Sequence, residues 1–389
     1  MSEKCVKVLQ VLIGGDAFTG VASYLYQQYL HIDREKVRYD FLFTKKNSMK
    51  LVADQEIFAE SRFIELSAVK GKRGSNDYWK IVSGLKKVLQ NGEYDFVVVN
   101  TSVVEVIFAC LMGASFGKKV PVIAHAHNTK IVLEKSSIRN KIVIFINILE
   151  GFLRTVIRKK AAWLFACSRE AGAFTFGEKA LESKKFRVIR NAIDLEAFRP
   201  DEIKRQEIRR AANAQEAHVY GNVGYFCKRK NQLFLLDVFA EILKKKTNSL
   251  LWIIGEGEYD EALHKKAKDL KVADKVTFWG QRSDVPEIMQ GMDSFLFPSL
   301  SEGLGIVAIE AQASALPTFI SDGVPEETMI TDLCERIPLA SDAETWAKEI
   351  LSREEALGSA REAREQIIRE AGYDILAETK KIEAFYTKS

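Results

Sequence analysis

Two glutamates eight positions apart mark the stretch of this sequence whose residue types are best suited to chemistry. Glu302 follows an apolar run that ends at Pro298, and Glu310 lies among apolar and small residues that begin after Gly305. This order predicts a buried strand, a polar loop and a helix that starts near Gly305. Free amide hydrogens at a helix start, with the helix dipole, attract an anion such as a diphosphate. The two carboxylates can then accept hydrogen bonds from two separate sets of hydroxyl groups.

A nucleotide sugar offers that combination, because its diphosphate has a sugar on one side and a ribose on the other. The alternative is a surface loop in which Glu302 caps the helix and Glu310 is solvated, since this spacing also arises by chance. The neighbouring Pro298-Ser299, the Glu-Gly pair at 302–303 and the Glu-Ala-Gln-Ala run at 310–313 favour the ligand site.

A second cluster places a glycine, Gly224, before three cations, Lys228, Arg229 and Lys230. The cluster follows a predicted strand, where cations in a water-poor cleft stabilise the growing charge of a leaving diphosphate. A solvated basic turn is the alternative. Two weaker signals, Gly255-Glu256-Gly257 and the run 280–285 with Arg282, also follow predicted strands and are suited to contact a nucleobase edge.

In the N-terminal half, His125 and His127 end a predicted strand and precede Asn128. Such histidines can donate hydrogen bonds or act as a general base, although one of the two is expected to be structural. A metal pair is rejected because no third ligand is evident nearby. The sequence therefore implies no metal ion and no cofactor.

Short apolar runs alternate with amphipathic stretches, which is typical of parallel α/β sheets. The first series of predicted strands covers 6–13, 39–44, 96–100, 120–125 and 162–167; the second covers 218–224, 250–255, 275–280, 294–298 and 317–321. A turn-rich stretch at 191–200 and a charged segment at 201–210 are interpreted as the linker. We expect two Rossmann-like, doubly wound domains facing a cleft, with ligands beyond the carboxyl ends of the strands.

Composition agrees with a globular protein of two domains, since the chain has 389 residues, 47% of them hydrophobic and 28% charged. A net charge of +4 is too small to argue for nucleic acid. The five cysteines form no C-x-x-C pair, which argues against zinc and against a disulfide framework. The N-terminus reads as a strand rather than a signal peptide, and no apolar run is long enough to span a membrane. We therefore expect a cytoplasmic protein.

Taken together, these residues resemble the retaining glycosyltransferases of family 4, which have the GT-B fold, and within it the bacterial exopolysaccharide and capsule enzymes. The resemblance covers almost the whole chain and is most specific at the Glu302-to-Glu310 element. It is carried by the segments 40–42, 125–128, 166–168, 176–177, 188–191, 224–231 and 302–310. It implies an acceptor-side domain at 1–195, a donor domain at 196–365, and a C-terminal helix at 366–389 that packs on the N-terminal domain.

The resemblance also implies roles for individual residues. Glu310 would bind the ribose and Glu302 the transferred sugar, while Lys230 neutralises the leaving diphosphate. His127 would lie near the C6 side of the sugar. The other implied substrate-binding residues are Gly20, Asn191, Gly224, Arg229, Arg282, Gly303, Leu304 and Gly305.

Two positions depart from the family pattern. Tyr225 stands where the family usually has an arginine, so one phosphate-binding cation is missing unless Arg229 or Lys228 replaces it. Ala192 follows Asn191 where glycine is common. The first departure bears on donor affinity; neither removes the paired glutamates.

The resemblance implies an enzyme that transfers a sugar from a nucleoside-diphosphate donor to a glycan or polyprenyl-linked acceptor, with retention of the anomeric configuration. UDP is the expected nucleotide because it is common in the family. The residues 130–160 carry eight Lys or Arg and two Glu among apolar residues. They are interpreted either as a peripheral contact with the inner face of the membrane or as a core-packed helix pair with a basic edge. The rival functions are a sugar-nucleotide epimerase on the same fold and a non-catalytic nucleotide-sugar sensor.

Overall fold

The protein is described by a computed structural model that covers residues 5–13, 20–43, 58–66, 78–127, 140–357 and 363–388, with only the backbone for 140–148. The chain divides into two compact units. Unit 1 comprises Met1–Ala192 and Ile375–Ser389, and unit 2 comprises Ile193–Asp374. Each unit is built around one parallel sheet with helices on its faces.

The described part of unit 1 contains seven parallel strands in the order β3-β2-β1-β4-β5-β6-β7. The strands are β1 Val6–Leu12, β2 Val37–Phe43, β3 Phe63–Glu65, β4 Phe96–Asn100, β5 Val122–Ala126, β6 Trp163–Ala166 and β7 Phe186–Val188. The helices are α1 Gly20–His31, α2 Tyr78–Asn91, α3 Val104–Phe116, α4 Asn140–Lys160, α5 Arg169–Phe176 and, near the end of the chain, α14 Ile375–Lys388.

Unit 2 contains six parallel strands in the order β10-β9-β8-β11-β12-β13 among the residues described. The strands are β8 His218–Val223, β9 Ser249–Ile254, β10 Val276–Gly280, β11 Ser294–Phe297, β12 Thr318–Ser321 and β13 Cys334–Ile337. The helices are α6 Leu195–Phe198, α7 Glu202–Ala211, α8 Gln232–Leu243, α9 Asp260–Asp269, α10 Val285–Gln290, α11 Ile306–Ala313, α12 Ala343–Leu357 and α13 Glu365–Glu370.

The order of the strands reverses next to the first strand of each sheet. In unit 1 the reversal lies between β1 and β4, and in unit 2 between β8 and β11. Loops that leave the carboxyl ends of two such strands diverge to opposite faces, which opens a crevice where ligands bind in doubly wound folds. The two predicted clusters of unit 2 follow β8 and β11, so the fold brings them to this crevice.

The predicted central strands are confirmed, whereas β3, β7 and β13 were not predicted. These three strands are three or four residues long and lie at sheet edges. Edge strands carry polar and charged residues because one side faces water, and each of the three holds a charged residue within its short run. The continuous apolar pattern that indicates a central strand is therefore absent from these three strands.

The charged segment 201–210, interpreted as linker, forms most of α7 in unit 2. Its first turn is capped by Asp201, whose carboxylate accepts hydrogen bonds from two backbone amides. Arg205 and Arg209 reach back to Asp293, with Arg209 Nη1 at 2.8 Å from the carboxylate. Burial alone would raise the pKa of Asp293, but the two guanidinium groups hold it below its usual value. Two cations of this charge-rich helix thus share one partly buried carboxylate, Asp293.

The C-terminal helix α14 belongs to unit 1. It contacts α1 and β2, and its residues Ile375, Ile382 and Tyr386 are buried in the core on one face of the sheet. The turn before it contains Gly372 in the left-handed region with φ of 87°, which separates α14 from α13. Among the residues described, no helix is both long and apolar enough to cross a membrane, and no group of three or more potential ligands is placed to hold a metal ion.

Candidate functional site

The corner between β11 and α11 is shaped by one glycine. Gly305 immediately precedes α11 and has φ of 75°, a conformation that disfavours residues with a Cβ. A Cβ at this position would also lie 3.1 Å from Val324 Cγ1 and 3.2 Å from the Phe297 ring. The backbone therefore turns tightly against the core before the helix begins next to Gly305, where the sequence predicts its start.

The amide hydrogens of three residues at this corner have no backbone acceptor among the described residues. Within the described part of the chain, the amides of Gly303, Leu304 and Gly305 donate no hydrogen bond to another backbone carbonyl. The carbonyl of Leu304, by contrast, accepts a hydrogen bond from the Thr328 hydroxyl. The amides of residues 303–305 are thus available to a ligand beside the start of α11, whereas other groups of the loop are held by the protein.

Glu302 is buried, with 7% of its surface exposed, and two cations hold its carboxylate. Arg229 Nη1 lies 2.7 Å from Oε2, and Lys230 Nζ lies 2.9 Å from Oε1. Burial alone would raise the pKa of Glu302, but Lys230 and Arg229 bring it below the usual value. The carboxylate is therefore ionised at neutral pH and carries two charge-assisted contacts.

Contacts between the two loops hold the basic cluster against the acidic one. The amide of Leu300 donates to the carbonyl of Arg229 at 2.8 Å, and Asn231 Nδ2 donates to the carbonyl of Pro298 at 3.1 Å. Asn231 adopts the left-handed conformation with φ of 58°, which asparagine tolerates well. Because β8 and β11 are neighbours in the sheet, clusters about 70 positions apart in sequence lie side by side.

Lys230 is the best-enclosed cation of the cluster. Its side chain is 12% exposed, and Nζ lies 4.7 Å above the centre of the Phe297 ring. A Cβ at Gly224 would stand 3.2 Å from Cε of this lysine, so a larger residue there would displace the side chain. The glycine after β8 thus makes room for the lysine.

Glu310 extends from the second turn of α11 and is partly buried. Burial raises the pKa of Glu310 to about 7, and the charge of Lys230 opposes that rise. Lys230 therefore interacts with both predicted glutamates, although they lie on a loop and on a helix.

Arg282 has other partners than these glutamates. It pairs with Asp284 at 2.6 Å and lies 5.7 Å from the centre of the Trp279 ring.

In unit 1, His127 is buried at the end of β5, and both of its ring nitrogens face amide groups. Nδ1 lies 3.2 Å from Oδ1 of Asn191, and Nε2 lies 3.1 Å from Oδ1 of Asn100. Burial lowers the pKa of His127 to about 4, with Asn191 opposing the shift. Burial, and then the neighbouring His127, lower the pKa of His125, whose ring centre is 4.0 Å away. Both imidazoles are neutral at physiological pH.

The remaining predicted positions differ in how much the structure says of them. Gly20 is the first residue of α1, whereas Asn128 lies outside the described residues. Asn100 was not predicted as a site residue, and neither was Gln10, whose side chain accepts a hydrogen bond from it at 2.9 Å. The signal available for both was a polar side chain within an otherwise apolar strand, since both are buried.

Comparison with known proteins gives this geometry a class. Residues 204–371 match the family model described as Glycosyl transferases group 1. In structure, the chain matches HepE of Anabaena, solved in complex with UDP and glucose, with a TM-score of 0.74 over 99% of this chain and 100% of that one, at 15% identity. The chain is a glycosyltransferase, and its two parallel-sheet units are those of the GT-B fold.

Two relatives found by sequence similarity have names that are more specific than the family description. The chain is 28% identical to the putative glycosyltransferase EpsF of Bacillus subtilis, over 96% of this chain and 94% of the relative. It is 26% identical to an Escherichia coli enzyme named UDP-Gal:alpha-D-GlcNAc-diphosphoundecaprenol alpha-1,3-galactosyltransferase, over 62% of each chain.

Proposed function

We propose that this glycosyltransferase retains the anomeric configuration, takes its sugar from a UDP-sugar, and transfers it to a glycan or polyprenyl-linked acceptor in the synthesis of a bacterial surface polysaccharide. HepE, which matches in structure, was solved with UDP, and the Escherichia coli relative is named for a UDP-sugar donor and a polyprenyl diphosphate acceptor. Both support the proposal.

One observation carries it: Lys230 interacts with two carboxylates that precede and follow, in sequence, a row of amides without a backbone acceptor among the described residues. Glu302 comes before that row and contacts the lysine at 2.9 Å, and Glu310 comes after it and is close enough for the charge of Lys230 to lower its pKa. A diphosphate bound to the amides of residues 303–305 is then placed with hydroxyl-bearing groups on both sides. We assign the transferred sugar to Glu302 and the ribose to Glu310.

The proposed chemical step breaks the bond between the anomeric carbon and the diphosphate oxygen, and the bonding electrons leave with the diphosphate. The acceptor oxygen bonds to the same carbon on the same face, and its proton passes to the departing phosphate oxygen. Lys230, Arg229 and the amides at the start of α11 stabilise the charge that develops on the leaving group. Gly224 keeps the space that Lys230 needs for this role.

Donor binding changes the partners of Glu302. Without a donor, the carboxylate neutralises Arg229 and Lys230 at 2.7 and 2.9 Å. A diphosphate competes for the same two cations, and the sugar hydroxyls then replace them as partners of Glu302. Arg229 in this arrangement supplies the second phosphate-binding cation that Tyr225 cannot.

The other predicted residues have roles at the edges of the donor or near the sugar. Arg282, held by Asp284 and Trp279, borders the base. By the resemblance, we assign His127 to the C6 side of the sugar and Gly20 to the donor phosphate or the acceptor. These roles follow the family resemblance.

The test is incubation with a panel of nucleotide sugars, with and without candidate acceptors, while nucleoside diphosphate release and sugar products are measured. A transferase releases diphosphate in step with a new glycosidic bond. An epimerase converts the sugar nucleotide without any acceptor, and a sensor binds and releases nothing. Either of the last two outcomes overturns the proposed reaction. The configuration at the anomeric carbon of the product, determined by NMR coupling constants, tests retention.

We also propose that the protein works at the cytoplasmic face of the membrane, where polyprenyl-linked acceptors are found. Residues 130–139 of the basic segment lie outside the described residues. The described end of α4 exposes Phe152 and Leu149 to 62% and 45%, and basic residues follow in its last turn. Exposed apolar side chains beside cations bind anionic bilayers.

Sedimentation with anionic vesicles tests this contact. Phe152→Ser is expected to weaken vesicle binding severalfold, whereas Trp79→Ser, at an equally prominent exposed aromatic on α2, serves as the control. Wild-type protein that stays in the supernatant at both low and high salt would rule the contact out.

A further inference from the structure

A chain of buried hydrogen bonds joins the C-terminal helix to His127. The side chains of Asn100, Gln10 and Tyr386 are each no more than 5% exposed. Asn100 Nδ2 donates to Gln10 Oε1 at 2.9 Å, and Gln10 in turn hydrogen-bonds the hydroxyl of Tyr386. Tyr386 comes from α14, Gln10 from β1 and Asn100 from the end of β4, so three separate elements support one ring.

The direction of these bonds is fixed by what each group can donate. Asn100 donates to the Gln10 oxygen at 2.9 Å, so the Gln10 NH₂ group is left to donate to the Tyr386 hydroxyl. Asn100 uses its own NH₂ group in that bond. Asn100 then presents its own oxygen to His127, and a carbonyl oxygen can only accept. His127 must therefore carry its proton on Nε2.

The protonation state of the other ring nitrogen, Nδ1, follows from the neutral charge of the ring. A neutral imidazole holds one proton, and burial keeps His127 neutral, so Nδ1 is an acceptor. Its neighbour is the amide of Asn191 at 3.2 Å. A half-turn of that amide about its Cβ–Cγ bond places NH₂ against Nδ1 and satisfies both groups.

We propose that Tyr386, Gln10 and Asn100 are positioning residues that hold His127 as the Nε2–H tautomer, which leaves Nδ1 as the nitrogen to which Asn191 or a substrate hydroxyl donates. Helix α14 thereby determines which ring nitrogen of His127 donates a hydrogen bond and which accepts one. The consequence for sugar transfer rests on the proposed role of His127, whereas the tautomer itself does not.

The first experiment needs no activity. The chain has five histidines, so their ¹⁵N side-chain signals can be resolved and assigned by single substitutions. In the donor-free wild-type protein at pH 7, His127 is expected to show the Nε2–H pattern. An Nδ1–H pattern or a doubly protonated ring would overturn the proposal.

The second experiment removes the support from α14. Tyr386→Phe deletes the acceptor of Gln10 and is expected to give a mixture of His127 tautomers, with kcat about tenfold lower and donor KM unchanged. The matched control is Tyr29→Phe, which deletes a buried hydroxyl of the same core that accepts from Ser61. It should lower stability to a similar extent and leave the tautomer and kcat as they are. If both variants change the His127 tautomer and kcat equally, the series of hydrogen bonds has only a structural role and the proposal is overturned.

A third variant guards against a Tyr386→Phe protein that fails to fold. Asn100→Asp places a carboxylate beside Nε2–H and is expected to raise the pKa of His127, so that the ring becomes doubly protonated near neutral pH. The other titratable groups that face the ring are His125, at 4.0 Å, and Tyr24, at 6.0 Å between ring centres, and both are neutral. An unchanged His127 spectrum in this variant would contradict the assignment of Asn100 to Nε2.

If the tautomer is as expected but His127→Gln transfers sugar at the wild-type rate, the proposed role of His127 fails while the positioning chain stands. The reverse result, a wrong tautomer with an essential His127, leaves the proposed function intact and removes the inference.

Discussion

The candidate site residues of the two units use opposite electrostatics. In unit 2, a buried carboxylate, Glu302, holds two cations, and a second glutamate lies within reach of one of them. In unit 1, His127 sits between two amides and carries no charge, because burial lowers its pKa to about 4. The cluster of unit 2 is made of formal charges and that of unit 1 of neutral dipoles.

The difference shows what each cluster can tolerate. Charges that pair with one another in a buried site can change partners when an anionic ligand arrives, because the ligand replaces the charge that is withdrawn. A neutral hydrogen-bonded network has no such freedom, since each donor and acceptor is already used and a lost bond leaves an unsatisfied group. We infer that unit 2 responds to the donor while the unit 1 network stays fixed. The following predictions test that contrast.

The largest effect is expected at Glu302. Glu302→Gln should lower turnover at least about a hundredfold, because the sugar hydroxyls lose their charged partner. Binding of UDP alone should be unchanged or tighter, since Arg229 and Lys230 are released from the carboxylate. Initial rates and calorimetric titration measure the two effects separately. Glu349→Gln, at an exposed position of α12, is the control; equal rates in the two variants would remove Glu302 from the site.

The backbone corner of unit 2 should be sensitive to a single methyl group. Gly305→Ala combines a φ of 75° with contacts at 3.1 and 3.2 Å, and is expected to cost about 2 kcal/mol of unfolding free energy. Gly280→Ala has a similar φ of 66° and open space around the added Cβ, so it should cost about 1 kcal/mol. Urea denaturation compares them. If Gly280→Ala is the more damaging, crowding at residue 305 is not what shapes the corner.

If Glu310 binds ribose as a carboxylate, as proposed, donor affinity should fall in acid. With a pKa of about 7 in the donor-free protein, the group is mostly ionised at pH 8 and mostly protonated at pH 6, so UDP should bind about tenfold more weakly at pH 6. Titrations across this range, with Glu310→Gln as a pH-independent control, measure the effect. A flat wild-type profile would contradict the assignment of Glu310.

The same group has an opposite effect on the stability of the free protein. The carboxyl has a higher pKa folded than unfolded, so the native state holds the proton more tightly. Stability from this group is present at low pH and is lost as pH rises from about 4.5 to about 7. Glu310→Gln should therefore stabilise the donor-free protein at pH 8 relative to wild type, with the difference shrinking below pH 5.

A smaller effect is expected at Arg229. Arg229→Ala should weaken UDP binding about fivefold, because the arginine is a partly exposed second cation and Lys230 remains. Lys228→Ala removes an equal charge from an exposed position of the same turn and should change affinity less than twofold. Equal losses would mean that only the net charge of the turn matters.

The smallest effect is expected from restoring the arginine that the family pattern has after Gly224. Tyr225→Arg should strengthen UDP binding two- to threefold, roughly the contribution of one partly solvated charge pair. The gain should grow when Arg229 is also replaced by alanine, because the two guanidinium groups would then substitute for one another. Independent effects of the two substitutions would argue that they contact different parts of the ligand.

Much of this arrangement could be predicted from the sequence, because its signals are local. The strand that ends at Phe297, the turn at Gly305 and the helix to Ala313 follow from an apolar run, two glycines and a run of small and apolar residues. The cations after Gly224 were equally visible. The edge strands and helix α7 were harder, because short polar strands and a charged helix lack the apolar periodicity on which such predictions depend.

The sequence by itself determined which residue types stand after which strands, and so determined the class of fold and the chemistry of the donor cluster. Only the tertiary structure decided which partners meet: that Arg229 and Lys230 both hold Glu302, that Lys230 also influences Glu310, and that Tyr386 reaches His127 through Gln10 and Asn100. Apart from the contact between Asn100 and His127, which are 27 positions apart, these contacts join residues that lie 70 or more positions apart, and the order of strands in the sheets brings them together. Burial then sets their protonation, and burial is a property of the packed core rather than of any local stretch of sequence.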